Sequence, residues 1–324
     1  METIFNLDHI FIVFNPGSGG NFIAGIANSL INASFDSPLI SSAGSSHTVK
    51  TDNKAAGTDF LSFGTLTEEH TLFPTADARI NYYLENIRNN YTSVTTPQVV
   101  WTHDFTNIPI YKRFFKNARI LVITTHTDRE CLTSLIMNTL KTLLDEQANI
   151  PLTKQHWENA VSRWKEHCVP EMKKLVGSSN IDQMLSDRFN PVYRDTIALA
   201  SIRTFLRYYG MVSLVEDVNN TERMVFNNVL YPPDKQGAPY KIGESIYSYL
   251  DQDCVILPYS YLSDNDDTVL LDRMTALIQR ELTEEEQGFV KTSLYKYRLA
   301  QNQTLLEDPR KFYNDLKSKV NNKT

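Results

Sequence analysis

The stretch His9-Ile10-Phe11-Ile12-Val13-Phe14-Asn15-Pro16-Gly17-Ser18-Gly19-Gly20-Asn21-Phe22-Ile23-Ala24-Gly25-Ile26-Ala27-Asn28-Ser29-Leu30 decides the fold class. A run of β-branched residues and Phe gives way to residues that tolerate unusual backbone angles. Apolar residues then return at Phe22, Ile23, Ile26 and Leu30, the spacing of one helix face. The pattern predicts a buried strand, a glycine loop and a helix. At such a junction the amides of the loop and the first helical turn lack internal partners and can converge on a phosphate or sulfate, with the helix dipole behind them. The loop is neither a Walker A motif, lacking Gly-Lys-Ser/Thr, nor Gly-x-Gly-x-x-Gly, since its glycines are Gly17, Gly19 and Gly20. A tight connection that uses glycines for geometry alone is the alternative.

Two further apolar runs end in polar groups. Gln98-Val99-Val100-Trp101-Thr102 leads into His103-Asp104, and Ala118-Arg119-Ile120-Leu121-Val122-Ile123-Thr124 leads into Thr125-His126-Thr127-Asp128-Arg129. An amphipathic helix is predicted from Glu130, carrying Leu132, Leu135, Ile136, Leu140 and Leu143. Another is expected over residues 76–89, and residues 34–75, rich in Ser, Thr, Gly and Asp, read as irregular structure over the site. His47, Lys50, Lys54 and His70 are candidate pocket residues there, against the plain reading of a solvated loop.

Residues 145–215 read as a helical insertion, with Trp157, Val161, Trp164, Cys168 and Met172 at helical spacing around Pro170. Residues 201–209 fit a helix or a strand, and residues 219–243 are loop-rich. Cys254-Val255-Ile256-Leu257-Pro258-Tyr259 reads as a late strand, and residues 269–282 and 284–300 as two helices joined by a Thr283 cap.

The 324 residues suffice for one large domain, and 41% hydrophobic with 22% charged residues is the composition of a folded globular chain. A net charge of −6 argues against a general nucleic-acid binder. Cys131, Cys168 and Cys254 have no paired spacing, so neither a metal centre nor a disulfide framework is expected. With no targeting segment or membrane-spanning run, the expected location is the cytoplasm.

The three strand ends, in this order, resemble the sulfotransferase family, which uses 3′-phosphoadenosine 5′-phosphosulfate (PAPS), and particularly the divergent sulfotransferase-like proteins of phages and large viruses. The family's Pro-Lys-Ser-Gly-Thr-Thr-Trp is similar to Pro16-Gly17-Ser18-Gly19-Gly20-Asn21-Phe22, matching at Pro16, Ser18 and Gly19. Its Lys-Thr-His is similar to Trp101-Thr102-His103, and its Arg-Asp-Pro-Arg-Asp-x-x-x-Ser to the frame from His126 through Arg129 to Ser134. Tyr259-Ser260-Tyr261-Leu262 matches the outer residues of a late Tyr-Glu-Asp-Leu.

The resemblance implies one α/β domain over residues 1–324, a three-layer P-loop NTPase-like fold with a central, mostly parallel sheet and helical additions. It implies PAPS as co-substrate without a metal, and a small-molecule, carbohydrate or protein acceptor. No nucleic acid or membrane is expected as a partner, and the host cytosol is the location if the chain is viral. It also implies His103 as general base, with residues 16–22 cradling the donor and His126, Arg129 and Ser134 at its 3′-phosphate. The family's loop lysine is Gly17 here and its first clamp arginine is His126, leaving Lys50, Lys54 or Arg129 to supply the charge at the departing oxygen. Two alternatives stay open: a non-catalytic module that binds a nucleotide or anion, and a small-molecule kinase, the latter disfavoured without Lys-Ser/Thr.

Overall fold

A computed structural model of the chain describes residues 9–14, 17–35, 99–102, 108, 111–112, 115–125, 129–130, 132–134, 136–137, 169–177, 181–186, 191–208, 253–264, 266–301 and 303–322. The described part is an α/β structure built on four parallel strands, β1 (Ile10–Phe14), β2 (Val99–Thr102), β3 (Arg119–Thr124) and β4 (Cys254–Pro258), in the order β2-β1-β3-β4. β1 pairs with β2 from Ile10↔Val99 to Val13↔Thr102 and with β3 from Ile10↔Arg119 to Phe14↔Ile123. β3 pairs in turn with β4, from Ile120↔Cys254 to Thr124↔Pro258.

The continuous apolar character of β1 follows from burial on both faces. Ile10, Ile12 and Phe14 join Leu121, Ile123 and Leu257 in the core beneath helix α1 (Gly20–Asn32). Phe11 faces the other way, stacked on Tyr111 at 3.9 Å between ring centres and set edge-on to Phe115 at 5.0 Å.

Residues 129–137 are helical wherever described, as the apolar spacing there predicts. In the middle section residues 169–176 are helical. Two further helices follow, α2 (Ile181–Ser186) and α3 (Pro191–Tyr208), so the helical alternative holds for the described residues from Ser201 on. Glu171, 3% exposed, is held there by Lys174 at 2.8 Å and lies 3.6 Å from Arg203 of α3. The expected helix over 76–89, the loop from residue 36 to 75 and residues 219–243 lie outside the described residues.

The carboxy-terminal section carries α4 (Thr268–Ile278), α5 (Glu284–Leu299), α6 (Gln303–Glu307) and α7 (Pro309–Asn321). The first two match the sequence expectation, with α4 ending four residues early; α6 and α7 were not anticipated. Helix α4 packs on β4 and α1, and α7 packs on α3. Arg119 donates to the carbonyls of Leu277 and Ile278 at 3.2 and 3.1 Å, placing a cation at the negative end of α4. No described helix is long and apolar enough to cross a membrane.

Thr283 starts α5 with a capping box, accepting from the Glu286 amide while the Glu286 carboxylate accepts from the Thr283 amide at 2.8 Å. The same carboxylate receives both ends of the Arg280 fork, at 2.7 and 2.5 Å. The Arg280 bonds, then those of Thr283, lower the Glu286 pKa from the usual 4.5 to about 2. Its stabilising contribution is therefore complete above about pH 4.5 and is lost as pH falls toward 2. Glu286→Gln should lower stability by about 1–2 kcal/mol at neutral pH, a range held down by the solvent access of Arg280. It should also flatten the acid limb of stability; urea unfolding of both proteins between pH 7 and 3 checks this, and parallel acid limbs would contradict it.

Candidate functional site

The chain passes from β1 to β2 in one direction across the sheet and from β2 over β1 to β3 in the other. In open parallel sheets this reversal leaves a crevice at the carboxyl ends of the strands, here β1 and β3, where ligands bind. The loop after β1, and the segment after β3 that is helical where described from Arg129 on, follow the carboxyl ends of these two strands. The predicted cradle thus stands where the topology favours a ligand.

Gly17 and Gly19 adopt φ of 85° and 79°, a left-handed conformation that costs an ordinary residue about 1–2 kcal/mol. Ser18 between them is fully buried. Helix α1 begins with its first backbone bond from Ile23 N–H to the Gly19 carbonyl at 3.1 Å, so the amides of Gly20, Asn21 and Phe22 have no acceptor inside the helix. No side chain caps that end, and no acidic residue occupies its first turn. The first turn of α1 thus brings no carboxylate of its own to the helix's positive end. The side-chain oxygen of Asn21 beside it is buried without a hydrogen-bond partner among the described residues, an acceptor that a ligand hydroxyl or amino group would satisfy.

The back of the loop is built by residues far away in sequence. A 3-10 turn, Tyr259–Leu262, follows β4 directly. From it Tyr261 donates to the Ser18 carbonyl at 3.0 Å in a buried bond, and Tyr259 reaches the Gly17 carbonyl at 3.5 Å. Tyr297 of α5 stacks on Phe22 with ring centres 4.1 Å apart. Burial first, then the neighbouring Tyr297 and Tyr259, pushes the Tyr261 pKa well above its ordinary value, so the hydroxyl stays a donor. In a trans peptide the C=O and the following N–H point in opposite directions. With the carbonyls of Gly17 and Ser18 turned toward the tyrosines, the amides of Ser18 and Gly19 point away from them.

Of the residues predicted for the 3′-phosphate, Arg129 is exposed and donates to the Leu306 carbonyl of α6 at 2.7 Å. Ser134 lies further along the same helical segment and is fully buried. Pro16, His103, His126, Lys50 and Lys54 lie outside the described residues. Sequence reasoning missed Tyr261 and Tyr297 as loop supports; the only signal was the faint late motif that holds Tyr261. Among the described residues no group of three or more His, Cys, Asp or Glu could hold a metal ion.

Neither Gly19 nor Gly20 has room for a side chain. A Cβ at Gly19 would run into the Tyr261 hydroxyl and come within 2.9 Å of that of Tyr297, and a Cβ at Gly20 would enter the Phe14 ring. Gly19→Ala should therefore lower stability by about 2–4 kcal/mol, combining backbone strain with overpacking. Gly20→Ala should lose about 1–3 kcal/mol from overpacking alone. Urea unfolding measures both, and wild-type stability in Gly19→Ala would contradict the loop geometry.

No family model, no curated protein and no solved structure matches this chain.

Proposed function

We propose that the chain binds PAPS through the β1–α1 loop and transfers its sulfuryl group to a hydroxyl or amine acceptor. In this reaction the acceptor atom bonds to sulfur while the bond from sulfur to the 5′-phosphate oxygen breaks. Adenosine 3′,5′-bisphosphate leaves, and His103 takes the acceptor's proton. The observation that carries the reading is the glycine loop at the sheet's crevice, its carbonyls turned back to Tyr259 and Tyr261 and its three amides opening α1 without an acceptor inside the helix. The interior position of β1 in the parallel sheet supports the P-loop-like three-layer architecture. The order of Ser18-Gly19, Thr102-His103 and Arg129 after successive strands supports sulfuryl transfer in particular.

A second reading is a module that binds the nucleotide and does not turn it over. Gly17 favours it: at φ 85° the position suits glycine, and the lysine that the family uses there would carry the left-handed penalty of about 1–2 kcal/mol. The Arg129 bond to Leu306 favours it too, by engaging a cation that could otherwise meet the phosphate.

Calorimetry with adenosine 3′,5′-bisphosphate in the absence of metal should give a micromolar dissociation constant, with ATP plus Mg²⁺ binding at least tenfold more weakly. No binding of the bisphosphate would overturn the nucleotide reading. In a PAPS turnover assay, His103→Ala should lose about 10²-fold or more in rate and keep bisphosphate affinity within about twofold. Unchanged turnover would remove His103 from the reaction, and binding without transfer to any acceptor would select the second reading.

A further inference from the structure

The bond from Tyr261 to Ser18 joins the loop to a section of chain more than two hundred residues away. We propose that Tyr261 is a positioning residue for the donor loop: its hydroxyl holds the Ser18 carbonyl and so sets the peptide plane that turns the Gly19 amide to the side away from the tyrosines. The proposal rests on the reading of that loop as the donor-binding site.

Three observations carry it. Tyr261 is 1% exposed, so its hydroxyl does not trade the Ser18 carbonyl for water. The contact has no slack, since the Cα of Gly19 sits so close that a single added carbon would meet the Tyr261 hydroxyl. Tyr261 is itself gripped: Arg298 donates to its carbonyl at 2.6 Å and to the Asp267 carboxylate at 2.7 Å. Arg298 belongs to α5 and Asp267 immediately precedes α4, so the 3-10 turn is tied to both helices. Asp267, Arg298, Tyr261 and Ser18 form one chain of charged and neutral hydrogen bonds ending at the peptide that carries the Gly19 amide. A loop held this way presents its donor without the ligand having to order it, and preorganised donors are the ones that contribute most to anion binding.

Tyr261→Phe keeps the ring and removes only the donor. Ser18–Gly19 is the only Ser-Gly step in the sequence, so labelling serine carbonyls with ¹³C and glycine amides with ¹⁵N isolates the Gly19 amide as a single signal. The variant should displace that signal in the ligand-free protein and weaken adenosine 3′,5′-bisphosphate binding about tenfold. Glu286→Gln, destabilised at a site outside the loop, is the control and should change neither readout. Tyr259→Phe, whose hydroxyl is at the longer distance of 3.5 Å, should weaken binding by about twofold at most.

Wild-type affinity with an unmoved Gly19 signal in Tyr261→Phe overturns the proposal and leaves the donor reading intact. Equal loss of affinity in Glu286→Gln also overturns it, because stability alone would then explain the effect. If the wild-type protein fails to bind the bisphosphate, the donor reading falls. The Gly19 signal then decides the rest: a displaced signal supports Tyr261 as the residue that sets the loop, and an unmoved one overturns it.

Discussion

The sheet and the loop that leaves it depend on β1 being enclosed on four sides. Its two faces are buried, and its two edges are hydrogen-bonded to β2 and β3. A strand in that position cannot drift in register without moving apolar residues and ladder bonds together. Its carboxyl end is therefore fixed, and the chain leaving it must turn sharply to lay α1 back on the sheet. Gly17 and Gly19 supply the left-handed angles of that turn, and Gly20 lets α1 approach Phe14 more closely than any side chain would allow. The open amides of α1 arrive at the crevice between β1 and β3 as a result of this packing.

The loop's second support comes from the carboxy-terminal section. Buried carbonyls need donors, and leaving one unpaired costs about 1–3 kcal/mol. The Ser18 carbonyl finds its donor on Tyr261, which is raised in pKa by burial and so remains protonated. The helices α4 and α5 that hold this tyrosine are themselves well specified, by the Arg119 contacts at the end of α4 and by the Thr283 capping box at the start of α5. Stability in this section and geometry at the loop are thus parts of one arrangement, although the groups that make each are different.

Much of the described framework was legible in the chain. The four strands stand where the apolar runs placed them, because parallel strands covered on both faces need continuous runs of apolar residues. The Thr283 start of α5 was legible because a cap is chosen by neighbours within one turn. Residues 201–209 were ambiguous because a short mixed stretch fits either period, and the helix there is settled by packing between α3 and α7. Helices α6 and α7 went unread in a polar segment, yet α7 carried local signals: Asp308 as cap, Pro309 in the first turn, and Tyr313, Leu316 and Val320 at helical spacing. At the site the glycines were legible and their supporting tyrosines were not.

The sequence by itself determined the junction: an apolar strand, glycines at the positions that need positive φ, and a helix whose first turn has neither cap nor carboxylate. Those properties are local, set by backbone sterics and side chains within a few residues of one another. Only the tertiary structure decided that Tyr261 and Tyr297 close the back of the loop, that Arg129 bonds to Leu306, and that Ser134 is buried. Each of these depends on which distant segments the parallel sheet and its helices bring together. No periodicity along the chain encodes a hydrogen bond between a tyrosine after the fourth strand and a carbonyl after the first.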